Sequence, residues 1–365
     1  MVNVIHILTA IDDGGAERVV YNYYEHLDRS KIRFTVVAID KGRKQLLEDG
    51  FREMGAEIRY VPQRVFDRLM AINRILKEGR YDVIHCHVFF LAEIYMLLGR
   101  FYHVPIRIAH AHMAYVTGHL KKRLLKRLFR PILKIMTTKR FACGEAAGKY
   151  VWGNLNGVMI LNNAIDLKKF AFNSAVRDEY RKKIGVKDDD IVIGHVGRFN
   201  EQKNHKFLVL LFEQLCKKNP ERSYYLVMIG VGEELETIKK QTDSSKYKER
   251  YLYLGSQLDV YNWMQTFDEF VLPSLFEGLP LVGIEAQTAG LPCIFSSAIT
   301  SEFRMGKHVK FLSLKSSIDE WVKCVYEYGE LKTRDDNTEL ITASGFDIDT
   351  EAKKLEQIYG ENMRG

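Results

Sequence analysis

The chain has 365 residues, 46% of them hydrophobic and 28% charged, which is enough for two domains with separate cores and too apolar for a disordered chain. Its 54 basic residues against 47 acidic ones leave a formal net charge of +7, so an anionic partner surface is favoured over a cationic one. The cysteines, Cys86, Cys143, Cys216, Cys293 and Cys324, are scattered and odd in number, and they form no C-x-x-C pair. That spacing argues against a disulfide framework and a zinc site, and it fits a reducing cytoplasm.

The opening MVNVIHILTAIDDGG is apolar from the start, without a basic n-region or a small-residue cleavage site, and predicts a first strand rather than a secretory signal. Short β-branched runs then alternate with segments of helical period: NVIHILT, ERVVYNYYEHL, FTVVAID, KQLLEDGFREMG, EIRYVP, AINRILKEG and DVIHCHV. Such alternation predicts βαβ units and a parallel sheet. Gly14 and Gly15 fall between the first strand and the first helix, where missing side chains would let a phosphate or sugar approach the backbone. A tight turn explains them equally well. Neither this segment nor GVGEEL at Gly230 completes G-x-G-x-x-G, so a dinucleotide fingerprint is weak.

The apolar segment 88–104 contains Glu93 and Arg100 and falls short of the ~20 apolar residues of a membrane span; it predicts a buried helix. RIAHAHMAY closes a strand with His110 and His112 on one face, and His85 and His87 close the preceding strand. Two same-face histidines could hold a metal, but no third ligand stands at metal spacing. Hydrogen bonding to a sugar hydroxyl or proton transfer is the other functional reading, against that of satisfied core histidines.

Residues 119–140, HLKKRLLKRLFRPILKIMTTKR, carry Lys121, Lys122, Arg123, Lys126, Arg127, Arg130, Lys134, Lys139 and Arg140 with no acidic residue. Leucines at 120, 124, 125 and 128, with Phe129 and Ile132, follow helical spacing. This pattern predicts a basic amphipathic helix suited to an anionic membrane face; an ordinary solvated helix is the plainer reading. No motif of a nucleic-acid binder accompanies it.

Strand periodicity lapses and charge rises over 166–190, which predicts a domain boundary there. A second series follows: DIVIGHVGRF, HKFLVLLFEQLCKKNP, SYYLVMIGVG, ELETIKKQ, LYLG, VYNWMQTF and EFVLPS. Two Rossmann-like lobes in tandem are therefore expected to face each other across a cleft, with ligands at the carboxyl ends of their strands. In GHVGRFNEQKNH, Arg198 and Lys203 precede a helix, and two cations beside a helix N-terminus make a phosphate site. An ordinary strand-to-helix loop is the competing reading.

The run 274–292, SLFEGLPLVGIEAQTAGLP, sets Glu277 in a loop and Glu285 about two turns along the following helix. Backbone N–H groups of the EGLPL turn, at Gly278, Leu279 and Leu281, are expected to face a ligand near Glu277. Read alone, Glu277 could cap a helix and Glu285 could be a buried packing residue. The D-x-D spellings at Asp188 to Asp190 and at Asp347 and Asp349 fall in a charged linker and at a helix cap, so they are not expected to bind metal.

Together, GGAERVV, HAH, NNAID, GRFNEQKN, LVMIGVGEE, YLGSQLDV and PSLFEGLPLVGIEAQTAGLP resemble the retaining nucleotide-sugar glycosyltransferases of family 4, in the bacterial exopolysaccharide and capsular polysaccharide branch. The resemblance covers nearly the whole chain and is densest from 190 to 299. It implies an α/β GT-B fold: an acceptor-binding domain over 1–170, a donor-binding domain over 171–345, and a helix over 346–365 packing back on the first domain. It implies transfer of a hexose or N-acetylhexosamine, with retention, from a UDP-sugar to a polyprenyl-diphosphate-linked glycan. Arg198 and Lys203 would hold the diphosphate, Glu277 the sugar hydroxyls, Glu285 the ribose and the Leu258 backbone the base. Gly15 would border the phosphates and His112 would stand by the reacting centre.

No metal and no cofactor beyond the donor are implied, and the protein is expected in the cytoplasm, peripherally on the membrane. Ala164 stands in NNAID where the family commonly has glycine. The alternatives are a catalytically silent nucleotide-sugar-binding scaffold subunit, or a nucleotide-sugar epimerase of the same architecture. A Rossmann dehydrogenase is disfavoured by the incomplete glycine pattern.

Overall fold

The computed structural model describes residues 1–12, 14–88, 91–112, 120–332 and 334–361, with the backbone alone described over 120–127. Its chain divides into two compact units, Met1–Ile165 with Gly345–Gly365, and Asp166–Ser344. Both are Rossmann-like.

The first unit is built on a parallel sheet of seven strands, β1 (Val2–Ile7), β2 (Ile32–Ile39), β3 (Glu57–Val61), β4 (Val83–Cys86), β5 (Ile106–Ala111), β6 (Lys139–Ala142) and β7 (Val158–Ile160), in the order β3-β2-β1-β4-β5-β6-β7. Helices pack on the sheet, and its central strands β1, β4 and β5 are almost wholly buried and read as largely apolar runs. Ile5, Ile7, Ile84 and Ala109 pack with Ile72, Tyr95, Met96 and Trp152 from the helices. The Trp152 Nε1 donates to the Phe141 carbonyl at 3.1 Å, which satisfies the indole in the core. The helix Ile348–Gly360 belongs to this unit. Asp347 caps it by accepting from the Thr350 N–H, and Asp349 pairs with His26 at 2.8 Å. Both members of that D-x-D thus have structural partners.

The second unit repeats the order with six parallel strands, β8 (Ile191–Val196), β9 (Tyr224–Ile229), β10 (Tyr251–Gly255), β11 (Glu269–Leu272), β12 (Cys293–Ser296) and β13 (Val309–Leu312), as β10-β9-β8-β11-β12-β13. In each sheet the strand order reverses beside the first strand of the unit, at β1/β4 and at β8/β11, where α/β sheets open a crevice for ligands. Leu208, Phe212, Leu226, Met228, Val271 and Trp321 form the core. The buried Arg181 ties the helix Ser174–Lys183 to this unit, donating to the carbonyls of Thr266, Lys187 and Asp190 and to the Asp268 carboxylate.

One expectation is corrected. Among the described residues of the segment read as a buried helix, the helix runs over Ala92–Phe101, and it is buried on one face alone. Tyr95 and Met96 enter the core, whereas Leu97 is 49% and Phe101 69% exposed. A helix laid on a sheet buries one stripe, and the apolar residues on its other side stay outside.

Candidate active site

In the second unit the site grows from two loops at the carboxyl ends of β8 and β11. Gly197, just past β8, has no Cβ; one placed there would stand 2.9 Å from the Lys203 Cε, so glycine makes room for the lysine stem. Gly230 has φ +140°, and a Cβ there would lie 2.1 Å from the Gly197 carbonyl oxygen. A Cβ at Gly232 would lie 2.3 Å from the Phe199 carbonyl oxygen. The GVG sequence is therefore spent on letting the β9 loop lie against the β8 loop, which explains its departure from a dinucleotide fingerprint.

The loop from β8 is then fastened to the loop from β11. Asn200 accepts from the Lys203 N–H at 3.2 Å, and Asn204, in the left-handed region at φ 57°, donates through Nδ2 to the Pro273 carbonyl. The Leu275 N–H donates to the Gln202 carbonyl at 2.8 Å. Gln202 Nε2 donates to the Phe276 carbonyl at 3.0 Å and to Glu277 Oε2 at 2.9 Å. The Lys203 amine stands 2.6 Å from Glu277 Oε1, with the two side chains 14% and 10% exposed. Two residues 74 positions apart thus form a nearly buried ion pair, a costly arrangement unless its geometry is good and its remaining oxygen is hydrogen-bonded, as Gln202 ensures here. Gln202 was not singled out in the sequence; its only signal was its place beside Lys203.

The other residues expected in this unit differ in setting. Arg198 is exposed and pairs with Glu233 at 3.2 Å. Gly278 and Leu279 are half-buried in the loop, and Leu281 opens the helix Leu281–Thr288, on which Glu285 is half-buried. Pro280 occupies the N-cap position, so Glu277 is not the cap of this helix. Leu258 is exposed after β10.

In the first unit, Gly15 and His112 line one cavity of about 540 Å³, together with Thr9, Glu17, His87 and His110. A Cβ on Gly15 would meet nothing within 4 Å, so packing against protein does not require glycine there. Burial raises the Glu17 carboxyl above its usual range. The two histidine pairs expected at neighbouring strand ends are part of a larger cluster. His6 on β1, His85 on β4 and His110 on β5 join His87 and His112 just beyond the strand ends, and Tyr359 reaches them from the helix Ile348–Gly360. The three-histidine groups His6, His85, His87 and His87, His110, His112 each bring ring nitrogens within 4.8 Å of one another. Burial holds all five rings far down the pKa scale, His6 at about 3 and His112 at about 4, so they are neutral imidazoles at pH 7.

The side chains of Lys121, Lys122, Arg123, Lys126 and Arg127 lie outside the described residues, though the backbone is helical over Leu120–Met136. On its described part Leu128, Phe129, Ile132 and Ile135 are exposed, and Arg130 donates to the Tyr150 carbonyl at 2.9 Å. Among the described residues no helix is long and apolar enough to cross a membrane.

Residues 13–169 match the family model described as Glycosyltransferase Family 4, and residues 176–323 match that of Glycosyl transferases group 1. The chain is 35% identical to the putative glycosyltransferase EpsF of Bacillus subtilis, over 88% of this chain and 86% of the relative. It belongs to the family 4 glycosyltransferases. The Escherichia coli UDP-Gal:alpha-D-GlcNAc-diphosphoundecaprenol alpha-1,3-galactosyltransferase is 26% identical over 94% of this chain and 93% of its own length. The crystal structure of Anabaena HepE in complex with UDP and glucose matches 98% of this chain and 99% of its own at a TM-score of 0.79 and 16% identity, a likeness in fold. The two Rossmann-like units are those of the GT-B fold.

Proposed function

We propose that the protein transfers a hexose or N-acetylhexosamine, with retention, from a UDP-sugar to a hydroxyl of a polyprenyl-diphosphate-linked glycan during synthesis of a bacterial surface polysaccharide. The observation that carries this reading is the Lys203–Glu277 pair, clamped by Gln202 at the switch point of the second sheet. Without donor, each charge neutralises the other. An entering diphosphate offers Lys203 a stronger anionic partner, which frees the Glu277 carboxylate to accept hydrogen bonds from hydroxyls of the transferred sugar. Negative charge then builds on the leaving diphosphate, and Lys203 and the exposed Arg198 stabilise it electrostatically. Glu285 is assigned the ribose, the Leu258 backbone the base, and the N–H groups of Gly278, Leu279 and Leu281 the donor.

The names of the relatives support the donor and acceptor classes: one acts with UDP-Gal on a diphosphoundecaprenol-linked sugar, and the fold is shared with a protein crystallised with UDP and glucose. Lys203 and Arg198 supply the countercharge without a metal, so EDTA is expected to leave activity intact. The reading is tested with a panel of UDP- and GDP-sugars: one should bind and slowly release its nucleotide, and anomeric coupling in the product should report retention. If no nucleotide sugar binds at millimolar concentration, the reading fails.

Membrane docking is proposed for the apolar face beside the basic segment. The exposed Leu128, Phe129, Ile132 and Ile135 are joined by Leu97 and Phe101 on the helix that packs against theirs. A segment this rich in Lys and Arg next to an exposed apolar face suits an anionic leaflet. Neutralising Lys121, Lys122, Arg123, Lys126 and Arg127 should weaken flotation with anionic liposomes; undiminished flotation would return the helix to an ordinary solvated role.

A further inference from the structure

The five histidines of the first unit are organised, and the organisation is visible in two sets of distances. His6 Nδ1 meets His87 Nε2 at 3.0 Å, and His87 Nδ1 meets His112 Nε2 at 2.8 Å. The Tyr359 hydroxyl meets His85 Nδ1 at 2.7 Å, and His85 Nε2 meets His110 Nδ1 at 3.2 Å. The ring centres of these imidazole pairs lie 5.1 to 5.3 Å apart, so the rings meet edge to edge, nitrogen facing nitrogen. By contrast, His85 lies over His87 at 4.2 Å and His110 over His112 at 4.0 Å. The cluster is two hydrogen-bonded rails stacked on each other, one running His6–His87–His112 and the other Tyr359–His85–His110.

Each imidazole link needs one N–H and one lone pair, and a neutral ring has one of each. Protons within a rail are therefore not independent. In the second rail the buried Tyr359 hydroxyl satisfies its own hydrogen by donating to His85 Nδ1, so His85 donates from Nε2 to His110 Nδ1. His110 then carries its proton on Nε2, a buried atom, and the Leu161 backbone stands beside this ring. In the first rail both terminal atoms, His6 Nε2 and His112 Nδ1, are buried and, among the described residues, without partners. One end must be a bare lone pair and the other an N–H, so the three rings share one tautomer, all Nδ1–H or all Nε2–H.

We propose that the two rails are tautomer locks: His6, His87 and His112 share one tautomer, and Tyr359 and His85 fix the proton of His110 on Nε2. His6, His85, His87 and Tyr359 act as positioning residues. A metal is not what this geometry favours, because the nitrogens that approach one another are already committed in pairs.

Long-range proton–nitrogen correlation spectra of the full chain, labelled with ¹⁵N-histidine and free of donor, read the tautomer of every ring directly. At pH 7 the expected result is one common tautomer on His6, His87 and His112, and Nε2–H on His85 and His110, with all five rings neutral. Different tautomers within one rail, or Nδ1–H on His85 and His110, would overturn the proposal. Tyr359→Phe, which removes a single oxygen, should turn His85 and His110 into mixtures of tautomers and leave His6, His87 and His112 unchanged. Movement of all five, or of none, would show that the rails are not separate locks. Neither readout depends on turnover, so failure here is distinguishable from failure of the transferase reading.

Discussion

The two units solve the problem of placing polar groups at a sheet's carboxyl edge in opposite ways. The first collects five histidines and a tyrosine, buries them, and leaves every ring uncharged. In the second, a lysine and a glutamate face each other at 2.6 Å and are clamped by a glutamine. Imidazole can shed its charge at a modest cost because its ordinary pKa lies near neutrality, whereas an amine or a carboxylate so deeply placed is best kept with a counterion. A neutral cluster suits recognition of hydroxyls. A charged pair suits a ligand whose own charge grows during reaction.

The contrast is broken most severely at Glu277. Glu277→Ala should lower transfer by about 10²- to 10³-fold, or roughly 3–4 kcal/mol of transition-state stabilisation, while UDP affinity stays within a few-fold. Comparable losses in both would remove the distinction between sugar and diphosphate contacts. Lys203→Ala comes next, with UDP affinity falling roughly 10- to 100-fold as one charge-assisted contact goes and Glu277 is left unpaired. Arg198→Ala should cost less, because this side chain is 70% exposed; calorimetric titration with UDP ranks the two.

Acid should act on the neutral cluster. The histidine pKa values are depressed from 6.5, so the unfolded chain takes up protons that the folded chain refuses. The stabilisation is full above pH 6.5 and is lost as pH falls from 6.5 towards 3, amounting to several kcal/mol over the cluster. Thermal unfolding between pH 7 and 4.5 should follow that slope, and a flat profile would mean that the rings are accessible to protons.

The smallest effect is expected at Glu269, buried at the start of β11 with neither carboxylate oxygen partnered among the described residues, where burial pushes its pKa well above 4.5. The folded chain holds a proton there more tightly than the unfolded chain, so the wild type loses stability as pH rises from 4.5 through the folded-state value. Glu269→Met should stabilise the protein by about 1–2 kcal/mol, more at pH 8 than at pH 5. Chemical denaturation at the two pH values checks the difference.

Much of this was legible in the chain. Alternation of β-branched runs with helical periods predicted two parallel α/β lobes, and the motifs placed Arg198, Lys203, Glu277 and Glu285 in one of them. The segment 88–104 misled, because mean apolarity does not tell a core helix from one with an exposed apolar side such as Leu97 and Phe101. His6 carried no signal in NVIHILT, where it looks like any polar interruption of a strand. Gln202 likewise stands out only once Glu277 is beside it.

By itself, then, the sequence determined the element types, the repeated Rossmann order implied by them and the family, since these follow from local periodicity and from motifs short enough to read along the chain. Only the tertiary structure decided the partners. Lys203 meets Glu277, and His6 joins His87 while Tyr359 joins His85 from 274 positions away, because parallel strand pairing brings distant strand ends to one edge. Hydrogen bonds and ion pairs act across a few ångströms of space, and linear spacing does not record that distance.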